Sequence, residues 1–166
     1  MDIPSALATP TDLSAQNTAE IAALVNPLIA DSFALYVKTK NFHWHLSGPH
    51  FRDYHLLFDE QAESILEGID PLAERMRKIG QTTIRSIGHI GSLSSIKDDN
   101  EPFVSANDMV AKLLADNKAM AVSQRKAIDF CEEKGDSPTS NLIQEILDQT
   151  ERRIWFLFEI SSTEKP

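Results

Sequence analysis

Between Asn41 and Glu60 the chain reads NFHWHLSGPHFRDYHLLFDE. This stretch holds four of its five histidines, His43, His45, His50 and His55, and ends on the acid pair Asp59 and Glu60. Asp70 and Glu74 follow within fifteen residues. Imidazole together with carboxylate suits Fe(II), Mn(II) or Zn(II), and is too nitrogen-rich for a typical magnesium or calcium site. An acid–base site, or a plain turn that carries histidine, would use the same residue types. On a helix, at about 100° per residue, Asp59 lies about 40° from His55, with Asp70 and Glu74 about 60° and 100° away. These four residues therefore share one stripe. A stripe of acids is ordinarily a solvated face. A histidine one turn from an aspartate, with His43 just across a short turn, favours a metal.

Spacing then limits the architecture. Asp59 and Asp70 are eleven residues apart, a rise of ~16 Å on a straight helix. Two ligands of one ion must lie within roughly 4–5 Å of each other. One chain cannot close that gap, but an antiparallel copy can. A two-fold axis sets Asp70 and Glu74 of one subunit opposite His55 and Asp59 of the other, and generates the site twice. A di-iron centre inside each bundle would instead need Glu-x-x-His pairs. The residues three before the histidines are Lys40, Phe42, Ser47, Arg52 and Ser86, so that pattern is absent.

The elements that must position these residues read as four long helices, because apolar residues recur at three- and four-residue spacing and no stretch alternates like a strand. The first is expected from about Asn17 to His45, with Pro27 marking a kink or a restart capped by Asn26. The second is expected from Arg52 to Ile79, bent at Pro71 and closed by Gly80 at C′. A long connection follows, with a short helix expected near Leu93–Lys97. The third helix is expected to start at Ser105 as N-cap, with Asp108 three residues on, and to stop at Gly135. The fourth is expected to open with Ser137 as N-cap and Pro138 at N1, and to end near Ser161. One long link between the second and third helices is the connectivity of a ferritin-like bundle. The expected organisation is a flexible N-terminal segment over 1–16 and one bundle domain over 17–166.

Composition agrees with a globular domain: 166 residues, 42% hydrophobic and 25% charged. The net charge of −9 repels a polyanion on average, and the first basic residue is Lys38, so there is no basic N-terminal arm. The single cysteine, Cys131, excludes an internal disulfide and fits a reducing compartment. It reads as a small packing residue of the third helix. No leader with a basic n-region is visible, and no run of ~18 consecutive apolar residues occurs, so a cytoplasmic protein without a membrane span is expected.

The stretch KTKNFHWHLSGPHFRDYHLLFDE, followed by IDPLAERMRKIG, closely resembles the Dps family, the starvation-induced mini-ferritins, over roughly residues 17–162. The family motif is a histidine followed by Trp, a second histidine twelve residues on, an Asp four later, then Asp-x-x-x-Glu. It is matched by His43-Trp44, His55, Asp59, Asp70 and Glu74. The resemblance implies an all-α, ferritin-like four-helix bundle with one long crossover carrying a short helix, assembled into a hollow dodecamer. It implies ferroxidase sites at two-fold interfaces, with His43, His55 and Asp59 from one subunit and Asp70 and Glu74 from its mate. The implied activity is oxidation of Fe(II), with hydrogen peroxide preferred over dioxygen, and storage of Fe(III) oxide in the shell. A controlled two-electron use of peroxide suppresses hydroxyl radical.

Lys40 matches a lysine that in the family pairs with acids near the site, and as a plain surface residue it would simply snorkel. Trp44 matches a tryptophan beside the centre that intercepts radicals or packs an interface. His45, His50 and His89 match no ligand position. The family admits iron through three-fold pores lined by acids near the start of the fourth helix, and Asp136, Glu145 and Asp148 fall in that region. DNA-binding members often carry basic tails, whereas the C-terminal end here, SSTEKP, holds one lysine, which argues against direct DNA binding. Two rival readings stay open. One is a nucleoid-associated DNA-binding protein with secondary iron chemistry. The other is a redox-inert cage whose site holds a structural metal.

Overall fold

A computed structural model describes residues 3–161. Residues 1–2 and 162–166 lie outside it, among them Asp2 of the acidic N-terminal segment, most of the SSTEKP end and the last part of the 17–166 domain. After a single 3-10 turn at Ser5–Leu7, the helices are α1 Ala15–His45, α2 Phe51–Glu67, α3 Ile69–Lys78, α4 Ile87–Leu93, α5 Ala106–Glu133 and α6 Ser137–Ser161. No strand occurs among the described residues. Helix α1 packs on α2, α5 packs on α6, and α1 against α5 joins the two hairpins. Together α2 and α3 make the second long helix, so the bundle has four long helices with a crossover between the second and third.

Helix α1 begins two residues before the expected start because the Ser14 side chain accepts from the Asn17 N–H at 3.1 Å. It runs unbroken through Pro27. Asn26 caps nothing there, and its side-chain amide donates to the Thr82 carbonyl at 3.0 Å. Ile21, Val25, Leu28, Ile29, Leu35 and Phe42 are fully or almost fully buried and form the α1 side of the core. By length and hydropathy alone α1 is long and apolar enough to cross a membrane, but half of that window is buried inside the bundle. It is the central helix of a packed core.

The interruption in the second helix falls at Gly68, not at Pro71. Gly68 closes α2 with its N–H on the Ile65 carbonyl at 3.3 Å, and α3 restarts at Ile69. Pro71 then occupies the third position of a new helix, where its missing N–H would have had no intrahelical partner. Gly80 ends α3 as expected. Its φ is +80°, and the Gln81 N–H reaches the Met76 carbonyl at 2.9 Å while the Gly80 N–H reaches Arg77 at 3.1 Å. A Cβ at Gly80 would also sit 2.7 Å from the Thr9 carbonyl oxygen. The N-terminal segment thus lies against this corner, where Arg77 also donates to the Leu7 carbonyl at 2.7 Å.

The crossover helix lies at Ile87–Leu93, earlier than the expected Leu93–Lys97, and is capped by Ser86. Buried Asp31 explains the difference. Its carboxylate accepts from Ser94 Oγ at 2.9 Å, from the Ser95 N–H at 2.5 Å and from Ser95 Oγ at 2.8 Å. Backbone donors drawn to a side chain are lost to a helix. Farther along, Lys38 Nζ binds the Lys97 carbonyl at 3.1 Å and Asp116 at 2.6 Å.

Ser105 caps α5, accepting from the Asp108 N–H at 3.2 Å. Helix α6 starts at Ser137, so Ser137 is not its cap. Asp136 takes that role, accepting from the Thr139 N–H at 3.1 Å. It is held there by Arg75 Nη2 at 2.6 Å.

Candidate metal centre

The end of α1 and the first turns of α2 meet across the loop 46–50, and this contact builds the candidate site. His43 is buried and His55 half-buried. Their rings stack with centroids 3.8 Å apart and planes 19° from parallel. His43 Nδ1 lies 2.7 Å from the His55 backbone carbonyl oxygen, and His55 Nδ1 lies 3.0 Å from that of His43. A carbonyl oxygen only accepts, so each Nδ1 carries the proton. In the neutral form of either ring the lone pair is therefore on Nε2, the atom left for a cation.

Asp59, one turn beyond His55, brings a carboxylate oxygen 3.8 Å from His43 Nε2. Lys40, one turn before the His43-Trp44 pair, is ion-paired to the same carboxylate. That ammonium, hydrogen-bonded to Asp59, holds its carboxyl below the usual carboxylate range. Asp59 in turn raises the Lys40 ammonium above its ordinary value. The site thus has two oriented imidazole nitrogens and an anionic oxygen, with a cation already balancing part of the negative charge.

His43, His55, Asp59 and Lys40 are brought together within one chain. Asp70 and Glu74 are not. Both are exposed on α3, past the Gly68 junction, and among the described residues Glu74 pairs with Lys78 alone, at 3.3 Å. Among the described residues, no group of three or more His, Cys, Asp or Glu converges well enough to hold a metal within one chain. Trp44 is 63% exposed beside the site. Phe51, which the sequence reading passed over, stacks on His55 at 5.0 Å. Its i,i+4 spacing from His55 is the signal that would have found it.

The remaining candidates divide. Asp136, grouped with the pore acids by its region, is buried, caps α6 and pairs with Arg75, which leaves it no accessible face. Glu145 and Asp148 are exposed on α6. His45 Nδ1 binds the Asn41 carbonyl oxygen one turn back at 2.9 Å, and His50 lies against Tyr54. His89 sits in the first turn of α4. Cys131 is buried, and burial pushes its thiol up to about 12.

A ferritin-like domain model matches residues 22–164. The DNA protection during starvation protein of Brevibacillus brevis is 32% identical over 82% of this chain and 91% of its own length. The chain belongs to the Dps family of ferritin-like proteins. A low temperature-induced protein of Nostoc sp. is 35% identical over 81% of this chain and 75% of its own. Among solved structures, DpsC of Streptomyces coelicolor superposes with a TM-score of 0.91 at 25% identity, covering 95% of this Dps chain and 92% of that one. The helix order, with the crossover between the second and third long helices, is thus the Dps bundle.

Proposed function

We propose that the protein is a ferroxidase and iron-storing subunit of a Dps cage, which oxidises Fe(II), preferentially with hydrogen peroxide, and keeps Fe(III) oxide inside a hollow dodecamer. One observation carries the reading. The His43 and His55 rings are locked by each other's backbone so that both Nε2 atoms are free, beside an Asp59 carboxylate held ionised by Lys40. Two imidazoles and one carboxylate, joined by the acids of a mate, suit Fe(II) while leaving open positions, and anionic oxygen favours Fe(III).

Asp70 and Glu74 of a two-fold mate complete the ligand set in this reading. An apolar groove of about 580 Å³ adjoins Asp70, lined by Ile29, Phe33, Leu66, Ile69 and Ile87 among others. Ile87 is 82% exposed. A patch of that kind is the surface a second copy would cover. In the reaction, two Fe(II) ions each give up one electron. The peroxide O–O bond breaks as it takes those two electrons and two protons, and it leaves as two waters without releasing a radical. Trp44, which is exposed, would intercept a stray one-electron oxidant. Glu145 and Asp148 remain as acids that would line an entry pore. Protection of DNA, the property for which the Brevibacillus relative is named, would come through removal of iron and peroxide. The net charge of −9 opposes direct binding to the polyanion. The cytoplasm is the compartment this chemistry serves.

Stopped-flow mixing of anaerobic Fe(II)-loaded protein with peroxide tests the reading. Fast oxidation in the native protein, and its loss in His55→Ala/Asp59→Ala, is expected. An inert native protein, or a double variant as fast as the native one, overturns it. Retention of plasmid DNA in gels at about 0.15 M salt would instead favour a DNA-binding role.

A further inference from the structure

The middle of the bundle holds a positive charge without a counter-ion. Arg153 of α6 is 5% exposed. Its Nε donates to Asn117 Oδ1 at 2.9 Å, Nη1 to Ser64 Oγ at 3.0 Å and Nη2 to Thr150 Oγ1 at 2.8 Å. All three acceptors are neutral, and a guanidinium has five N–H groups, so two donors remain. Arg75, another partly buried arginine of the bundle, by contrast faces the Asp136 carboxylate. Arg153 makes no ion pair among the described residues, and burial alone pulls its value down to about 10. Burying an unpaired cation is costly, which is why buried charges are ordinarily matched.

Arg153 also lines a half-open cavity of about 260 Å³ between α2 and α6. Gln61, itself 5% exposed, lines the same cavity, and its buried amide nitrogen has no acceptor. Ser64 spends an acceptor on Arg153 and keeps its hydroxyl proton to donate. At the mouth lie exposed Arg152, over the Phe156 ring at 5.3 Å, and Glu60, which pairs with neither arginine. Donors in this cavity outnumber acceptors, and the fixed charge is positive.

We propose that this cavity is a binding site for a small tetrahedral oxyanion of the phosphate class. The anion would take the two spare Arg153 N–H groups, the Ser64 hydroxyl and the Gln61 amide once it turns about its soft terminal torsion. Arg152 would close over it from the rim. The site shares no residue with the His43–His55–Asp59 constellation, so it stands or falls apart from the ferroxidase reading.

The test is calorimetric titration of inorganic phosphate into the metal-free, assembled protein, with sodium chloride at matched ionic strength as reference. One phosphate per chain is expected, along with a melting temperature that rises with phosphate and not with chloride. Gln61→Leu and Arg152→Gln leave the Arg153 network intact, and each should weaken phosphate by about tenfold. Arg153→Lys should weaken it further wherever that variant folds. No phosphate heat and no thermal shift beyond chloride would mean that water alone fills the cavity, and would overturn the proposal. Undiminished binding in both Gln61→Leu and Arg152→Gln would place the phosphate elsewhere and overturn it equally.

Discussion

His43 and His55 hold each other: the Nδ1 of each ring bonds the backbone carbonyl of the other, and the two rings stack at 3.8 Å. The pairing fixes where two helices meet and which nitrogen of each ring faces outward. One contact therefore serves both the fold and the proposed chemistry.

Because the rings support each other, their removal should not be additive. His43→Ala and His55→Ala should each slow Fe(II) oxidation by about tenfold or more. The double variant should cost less than the product of the two, with a coupling of about 1 kcal/mol. A double-mutant cycle on initial rates measures this. Strict additivity would mean the rings act independently.

Lys40 is expected to set the acid limit of iron binding. It holds the Asp59 carboxyl below its ordinary value, so Asp59 stays an anion to lower pH than a free aspartate. Lys40→Met removes that support, the Asp59 value rises, and the carboxylate is protonated at higher pH. Anaerobic Fe(II) titrations across the acidic range should show the loss of binding displaced to higher pH in the variant. An unchanged profile would remove Lys40 from the site.

The expectations read from the chain alone succeeded where the determinant is local. The Gly80 and Gly135 stops and the Ser105 cap need only neighbours within a turn or two. They failed where a distant residue decides. Asp31 of α1 draws the donors of Ser94 and Ser95 and so moves the crossover helix. Arg75 of α3 turns Asp136 from an exposed acid into a buried cap. Pro71 reads as a bend, yet the chain can restart at Gly68 and leave the proline where it costs no hydrogen bond. The His43–His55 exchange is likewise invisible in a pattern of residue types, because it uses backbone oxygens brought together by the loop 46–50.

Arg75 and Asp136 make a strong stability prediction. The Asp136 side chain is fully buried, while that of Arg75 is 19% exposed. Asp136→Ala leaves the guanidinium unpaired and strips the cap from α6, and should cost about 3–5 kcal/mol. Denaturant unfolding followed by circular dichroism reads the loss. A change within about 0.5 kcal/mol would show the pair to be idle.

Cys131 gives a pH-dependent test. Burial raises the thiol to about 12 from 9.0. A raised folded value means the contribution to stability is intact below about pH 9 and is lost as pH rises toward 12. At pH 8 the folded thiol is neutral, so alkylation by iodoacetamide should be far slower than in denaturant, where the thiolate is accessible. Equal rates would contradict the burial.

Sharing of the site between two subunits is tested most directly by mixing. His55→Ala/Asp59→Ala and Asp70→Ala/Glu74→Ala each damage every site when assembled alone. Refolded together in equal amounts and paired at random, about half of the two-fold pairs contain one of each. Each such pair has one intact site and one doubly damaged site. Mixed assemblies should recover about a quarter of native Fe(II) oxidation while both parents stay inactive. Mixed assemblies no more active than their parents would contradict it.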